Sequence, residues 1–280
     1  MRVPPRLEPL VEEGIIERIV RPLLSGKEAQ VYLVEAGGQL RVAKVYKEAQ
    51  ERTFRNRAGY TEGRTVRSSR DQRAMARRSK HGRQADEAAW KSAEVQVLRR
   101  LYDAGLRVPT PYAFVEGVLV MECVLGEGGG PAPRLAECSL EGAFAARVRD
   151  QLLDAVKRML CEDIVHGDLS PYNVLVEPEG AVIIDFPQSV NAARNTAARE
   201  MLLRDVANIT ALFLRHLPRE ERRYGHEMWA LYERGDLRPD TPLTGRFALP
   251  SHEVDAERLL LEMLEIEEDE AVARRAERES

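Results

Sequence analysis

Residues 166–173 read His166-Gly167-Asp168-Leu169-Ser170-Pro171-Tyr172-Asn173, and the apolar run Val182-Ile183-Ile184 then ends at Asp185. The pattern H-x-D-x-x-x-x-N is short. Three fixed residues at ordinary frequencies recur by chance in roughly one chain of this length in thirty. Taken alone, the stretch also reads as a polar loop, with Asp168 capping a turn and Asn173 satisfying backbone groups. The surroundings argue for more. Residues 140–163 read as one long helix running into the loop, and 173–176 as a short apolar piece leaving it. The run 182–184 is short enough for a buried strand, and it delivers a second carboxylate after the loop.

These residue types suit one chemistry. Phosphoryl transfer asks the protein for little covalent work; it asks for placement of the acceptor and neutralisation of phosphate charge. Mg²⁺ takes oxygen ligands and is held by one or two carboxylates together with phosphate oxygens. Asp185 and the amide oxygen of Asn173 are ligands of that kind. Asp168 can orient an acceptor hydroxyl or water and take its proton.

Upstream, the chain is rich in strands. Residues 15–24, 30–36 and 40–46 read as strands, with Gly37-Gly38 as a two-residue hairpin turn. Residues 84–104 read as a helix, and 112–116 and 118–124 as strands joined at Glu116-Gly117. Lys44 lies within the apolar run Val42-Ala43-Lys44-Val45. There it either faces solvent by alternation or points inward and needs an anion. Glu94, beside the apolar face of the following helix, is the candidate anion, unless it is a solvated helix glutamate. The turn Ser25-Gly26-Lys27-Glu28-Ala29 has small residues that let backbone N–H groups approach phosphates. It matches neither G-x-x-x-x-G-K-[ST] nor G-x-G-x-x-G, so a surface hairpin stays open.

Downstream, 126–133 is rich in Gly and Pro and reads as the joint between two lobes. Helices are expected over 196–216, 219–233 and 252–268. A strand-rich half followed by a helix-rich half is an α+β, two-lobed pattern. The expected division is an N-terminal extension 1–14, an upper lobe 15–125, a lower lobe 126–268 and a charged tail 269–280.

With 280 residues, 44% hydrophobic and 31% charged, the chain has the composition of a folded protein with a sizeable core. The net charge of −4 hides a local excess. Between Lys47 and Gln84 lie twelve basic and four acidic residues, and this segment, with weak apolar periodicity, reads as a mobile loop. Three cysteines without metal-ligand spacing argue against a disulfide framework or zinc site and fit a reducing cytoplasm. No signal-peptide core and no run of ~18 apolar residues occurs, so no membrane association is expected.

The residues then point to a family. The segments Ser25 to Tyr32, Val42-Ala43-Lys44-Val45-Tyr46, Trp90 with Glu94, and Leu119-Val120-Met121-Glu122 resemble RIO-type atypical serine/threonine protein kinases, closer to the Rio1 branch. So do Pro131-Ala132-Pro133-Arg134-Leu135, His166 to Asn173, Ile183 to Val190, and Leu203-Arg204-Asp205-Val206 with Asn208. They follow the family's order over about residues 15–215. The resemblance implies a two-lobed protein-kinase-like fold using ATP with Mg²⁺ or Mn²⁺. It implies Ser25 and Lys44 on phosphates, with Lys44 paired to Glu94. Met121 would line the back of the adenine pocket, Ile184 would line it too, and the backbone of Glu122 and Val124 would bond the adenine edge. Asp168 would be the catalytic aspartate, Asn173 and Asp185 the metal ligands, and Asp205 a brace for the catalytic loop.

Asp185 leads into Phe-Pro-Gln, and no Ala-Pro-Glu segment follows, so an activation segment and peptide platform are not expected. The resemblance leaves room for kinase and ATPase members, the latter with the metal-binding aspartate as phosphate acceptor. No winged helix fits before residue 15, which favours Rio1 over Rio2. The acceptor would be a protein or the chain itself. The family also implies a place in ribosome maturation; the arginine clusters of 47–84 suit RNA or a ribosomal particle, unless the segment is a solvated flexible loop. Two other readings remain: a small-molecule kinase of the aminoglycoside-phosphotransferase kind, and an ATP-switched ribosome-binding factor.

Overall fold

The computed structural model describes residues 3–26, 29–47, 93–214 and 221–249. The basic segment beyond Lys47, Trp90, the helix expected over 252–268 and the tail 269–280 lie outside the described residues.

Five strands build the upper lobe: β1 (Arg18–Ser25), β2 (Ala29–Ala36), β3 (Gln39–Tyr46), β4 (Pro111–Val115) and β5 (Val118–Glu122). All neighbours pair antiparallel, in the order β1-β2-β3-β5-β4. Gly37 and Gly38 take φ of 62° and 68°, the left-handed pair that a tight hairpin requires, and glycine adopts it without strain. The second hairpin uses Glu116 and Gly117 with φ of 47° and 76°. Pro22 sits in β1, at the sheet edge, where a missing N–H breaks no central ladder.

The expected first strand begins at Arg18 instead of Ile15, and the reason is packing. A short helix α1 (Glu8–Glu12) lies against one sheet face, and Ile16 is buried with Leu7 and Leu10 against Val34, Ala43, Val45, Val118 and Val120. The other face carries Tyr46 and Leu119 into the main core, together with Val95, Leu98 and Leu101 of a helix α2 covering 93–103. Both faces of the sheet are therefore covered. Alternation along β3 puts Ala43 and Val45 toward α1 and Lys44 toward α2.

Residues 126–133 form a closed turn. Gly126 N–H donates to the Gly130 carbonyl at 2.9 Å, Ala132 N–H to Val124 at 2.9 Å, and Leu125 bridges Pro131. The lower lobe is organised around α3 (Gly142–Cys161), whose Val148, Leu152, Val156, Met159 and Leu160 form a buried stripe. Two short antiparallel pairs flank it: β6 (Ile164–Val165) with the distant β9 (Val190–Asn191), and the hairpin of β7 (Val174–Glu177) with β8 (Gly180–Ile183). Helices α4 (Ala198–Leu214) and α5 (Tyr224–Glu233) complete it. The two-lobed α+β expectation holds: an antiparallel sheet first, helices later. No helix among the described residues is long and apolar enough to cross a membrane.

Candidate active site

Lys44 and Glu94 come from different elements and meet in the core. Glu94 is buried in the stripe that Leu98 and Leu101 continue, at i, i+4 and i+7 on α2. Lys44 Nζ donates to Glu94 Oε1 at 2.6 Å. The same ammonium donates to Asp185 Oδ1. Burial works against the Lys44 charge, but Asp185 and Glu94 outweigh it and hold its pKa above the ordinary lysine value. Burial likewise pushes Asp185 up, and Lys44 reverses that, keeping the carboxyl below its usual range.

Asp185 owes its position to a sharp exit from β8. The strand ends at Ile183, and Asp185 takes φ of 70°, a left-handed conformation that a short polar side chain tolerates better than most. Ile184 N–H donates to the Asn173 carbonyl at 2.9 Å, so the two candidate metal ligands are joined through the backbone.

The loop 166–173 is held from below by α4. Asp205, 1% exposed, accepts from Gly167 N–H at 2.7 Å and from Leu169 N–H at 3.0 Å. Asn208 Nδ2 donates to the Leu169 carbonyl at 3.1 Å, and Arg204 Nη2 to the Gly167 carbonyl at 2.7 Å. Gly167 has φ of 81°, which explains glycine between His166 and Asp168. His166 is buried, and its Nε2–H donates to the Ile184 carbonyl at 3.0 Å. Burial lowers its pKa to about 4, so the ring is neutral at neutral pH. Asp168 is exposed. Partial burial and then the nearby Asp185 charge raise its pKa, while Arg204 opposes them.

Asn173 Nδ2 donates to the Asp168 carbonyl at 2.8 Å, which fixes which amide atom is the oxygen and leaves Oδ1 without a donor among the described residues. An amide oxygen and a carboxylate are the hard donors that Mg²⁺ or Mn²⁺ takes. Among the described residues no group of three or more His, Cys, Asp or Glu side chains could hold a metal. Asn173 and Asp185 supply two hard donors, and an ion held there would draw its further ligands from phosphates and water.

Val124, Ala132 and Val182 form a small buried cluster at the lobe junction, with Leu175 and Ile184 half-exposed against it. Val124 is 3% exposed, and its N–H has no acceptor among the described residues. Met121 is half-buried against the main core. The Glu122 side chain takes another direction, bonding Arg107 and Thr110. Ser25 is exposed at the end of β1, beside the turn closed by Gly26 N–H to Ala29 at 2.9 Å. Lys27 and Glu28 lie outside the described residues.

Sequence reasoning gave Arg204 no role and did not single out Leu175 or Arg107. Leu175 had a usable signal, being the outward-alternating apolar residue of the strand after Asn173. Arg107 had none, because its partners Glu122 and Glu177 are distant in the chain.

The RIO domain family model matches residues 30–224, more than half of the chain. The RIO-type serine/threonine-protein kinase Rio1 of Haloferax volcanii is 34% identical over 209 residues, covering 74% of this chain and 67% of the relative. The serine/threonine-protein kinase RIO1 of Homo sapiens is 32% identical over 219 residues, covering 74% of this chain but 35% of the relative. Rio1 of Methanocaldococcus jannaschii is 34% identical over 192 residues, covering 68% of this chain and 61% of the relative.

Proposed function

This chain belongs to the RIO domain family, and we propose that it is an ATP- and divalent-metal-dependent phosphotransferase acting as a serine/threonine protein kinase. One observation carries the reading. A buried lysine is held between Glu94 and Asp185, directly beside a loop that presents Asp168 and Asn173 on an α4 carboxylate brace.

In this reading the adenine ring lies on Leu175 and Ile184 beneath the lobe junction, with Val124 N–H at its edge and Met121 behind. Lys44, kept cationic by its two carboxylates, meets the phosphates. Ser25 approaches them from above. Asn173 and Asp185 would hold Mg²⁺ or Mn²⁺, which neutralises phosphate charge when bound. Asp168 orients the acceptor hydroxyl and accepts its proton. Neutral His166 braces the Ile184 carbonyl, and so the exit of Asp185.

The names of the relatives favour a protein acceptor over a small molecule. The experiment is Mg²⁺-dependent transfer of the γ-phosphoryl of ATP, measured to protein acceptors, to the chain itself and to water. Transfer to protein supports the kinase reading; release of phosphate alone makes the chain an ATPase. Wild-type protein that neither binds nor turns over ATP would sink the proposal. The arginine-rich segment starting at Lys47 is the proposed contact with RNA or a ribosomal particle, on its charge alone.

A further inference from the structure

We propose that Arg107 is a positioning residue that holds the two lobes at the angle the cleft requires, by clamping a hinge carboxylate and a lower-lobe carboxylate in one guanidinium. Arg107 lies beyond the C-terminal end of α2, the helix that carries Glu94. Its Nη2 donates to Glu122 Oε1 at 2.7 Å and its Nη1 to Glu122 Oε2 at 3.0 Å. Its Nε donates to Glu177 Oε1 at 2.8 Å, and Nη2 also reaches Glu177 Oε2 at 2.7 Å. Both contacts are two-pronged, a geometry that the planar guanidinium supplies and an ammonium does not.

The partners matter because of where they sit. Glu122 ends β5, next to Met121 and two residues before Val124. It is fixed further by Thr110, whose N–H and hydroxyl donate to Oε2 at 3.0 Å and 3.2 Å. Against the upward push of burial, Arg107 and Thr110 hold the Glu122 carboxyl below the usual range. Glu177 ends β7, the strand that begins directly after Asn173. Arg107 therefore ties the adenine side of the hinge to the strand that directly follows Asn173, a proposed metal ligand. Neighbouring contacts reinforce the joint: Arg158 of α3 donates to the carbonyls of Ala104 and Gly105 at 2.9 Å and 3.2 Å, and Arg100 of α2 pairs with Glu162 at 3.1 Å. Isolated exposed ion pairs do little, but a forked network with Glu177 only 12% exposed fixes geometry.

The inference rests on the kinase reading above. Its test measures ATP affinity, KM for ATP and kcat for wild type, Arg107→Met, Arg107→Lys, Glu177→Gln and Arg107→Met/Glu177→Gln. Arg107→Met should raise Kd and KM for ATP about tenfold with little change in kcat, and the double variant should be no worse. Arg107→Lys should fail to restore affinity, since it keeps the charge and loses the fork. A merely structural arginine would lower the unfolding midpoint and leave KM and kcat alone. Should Arg107→Met not fold, Glu177→Gln carries the test and must raise KM by itself. Unchanged ATP affinity in the folded variants overturns the clamp and leaves the kinase reading standing. No ATP binding by wild type overturns both.

Discussion

Lys44 and Glu94 stand 50 residues apart in the chain, yet Lys44 Nζ and Glu94 Oε1 meet at 2.6 Å with both side chains almost wholly shielded from water. Neither charge would be tolerated there alone. Removing Lys44 leaves Glu94 buried and uncompensated, at a cost of about 3–5 kcal/mol, whereas removing Glu94 leaves Lys44 its Asp185 partner. Lys44→Ala should therefore reduce transfer more than Glu94→Ala, because Lys44 also faces Asp185. The double variant should lose less than the sum of the two. Rates and denaturant midpoints of the single and double variants check this; strictly additive losses would mean the pair is not a functional unit.

Asp185→Ala should abolish metal-dependent turnover and leave the fold intact. Its carboxylate is one of two that hold Lys44, and Glu94 remains. Circular dichroism and an ATP turnover assay across a Mg²⁺ titration decide the matter. Wild-type turnover in the variant would remove Asp185 from the metal site.

Asp168→Asn should leave ATP affinity nearly unchanged and slow transfer by ~10²–10⁴-fold, the scale for loss of a positioned base. The side chain is exposed and the loop is held through backbone groups, so the substitution does not disturb the brace. If a folded variant loses ATP binding, Asp168 is a nucleotide or metal ligand.

Asp205 links stability and turnover to pH in opposite senses. Burial raises its carboxyl from 3.8 to about 7, against the N–H groups of Leu169 and Gly167. Between those values the folded chain binds more protons than the unfolded chain. The stability Asp205 contributes is thus full below the window and falls as pH rises through about 7. The ionised form accepts both N–H bonds and holds the loop, so turnover should rise over the same range. Asp205→Asn should flatten both dependences and cost about 1–3 kcal/mol, since one N–H loses its acceptor. Unfolding curves and kcat from pH 5 to 8 test it; identical pH profiles in both proteins would exclude the brace as the titrating group.

The basic segment makes a separate prediction. Changing Arg67, Arg70, Arg73, Arg77 and Arg78 to Ala should weaken binding to structured RNA. It should also flatten the salt dependence, by roughly 0.7–0.9 log units per lost contact for each tenfold rise in salt. Equal affinity and slope would reject this segment as the RNA contact without touching Lys44, Asp168, Asn173 or Asp185.

Much of this was legible because local rules carry it. Gly37-Gly38 announces a hairpin through backbone freedom, and φ of 62° and 68° follow. The apolar stripe of residues 140–163 announces α3 through its period. The spacing of His166, Asp168 and Asn173, with the short run into Asp185, announces a loop followed by a strand, which the Ile184 N–H then ties back to the Asn173 carbonyl. Other features were poorly legible for an equally physical reason. The start of β1 moved from Ile15 to Arg18 because α1 claims Ile16, which the alternation of one strand cannot show.

Lys44 marks the division most clearly. By itself the sequence determined that a lysine occupies an apolar strand, that a glutamate sits beside the apolar face of the next helix, and that an aspartate ends a buried run. Whether the lysine points to water or to an anion depended on what covers the second face of the sheet. Only the packing of α2 there, and the left-handed turn at Asp185, decided it. The Arg107 contacts with Glu122 and Glu177 are of the same kind. Periodicity and turn preference act over a few residues, whereas the partner of a charge is chosen by which distant segments the shared core brings together.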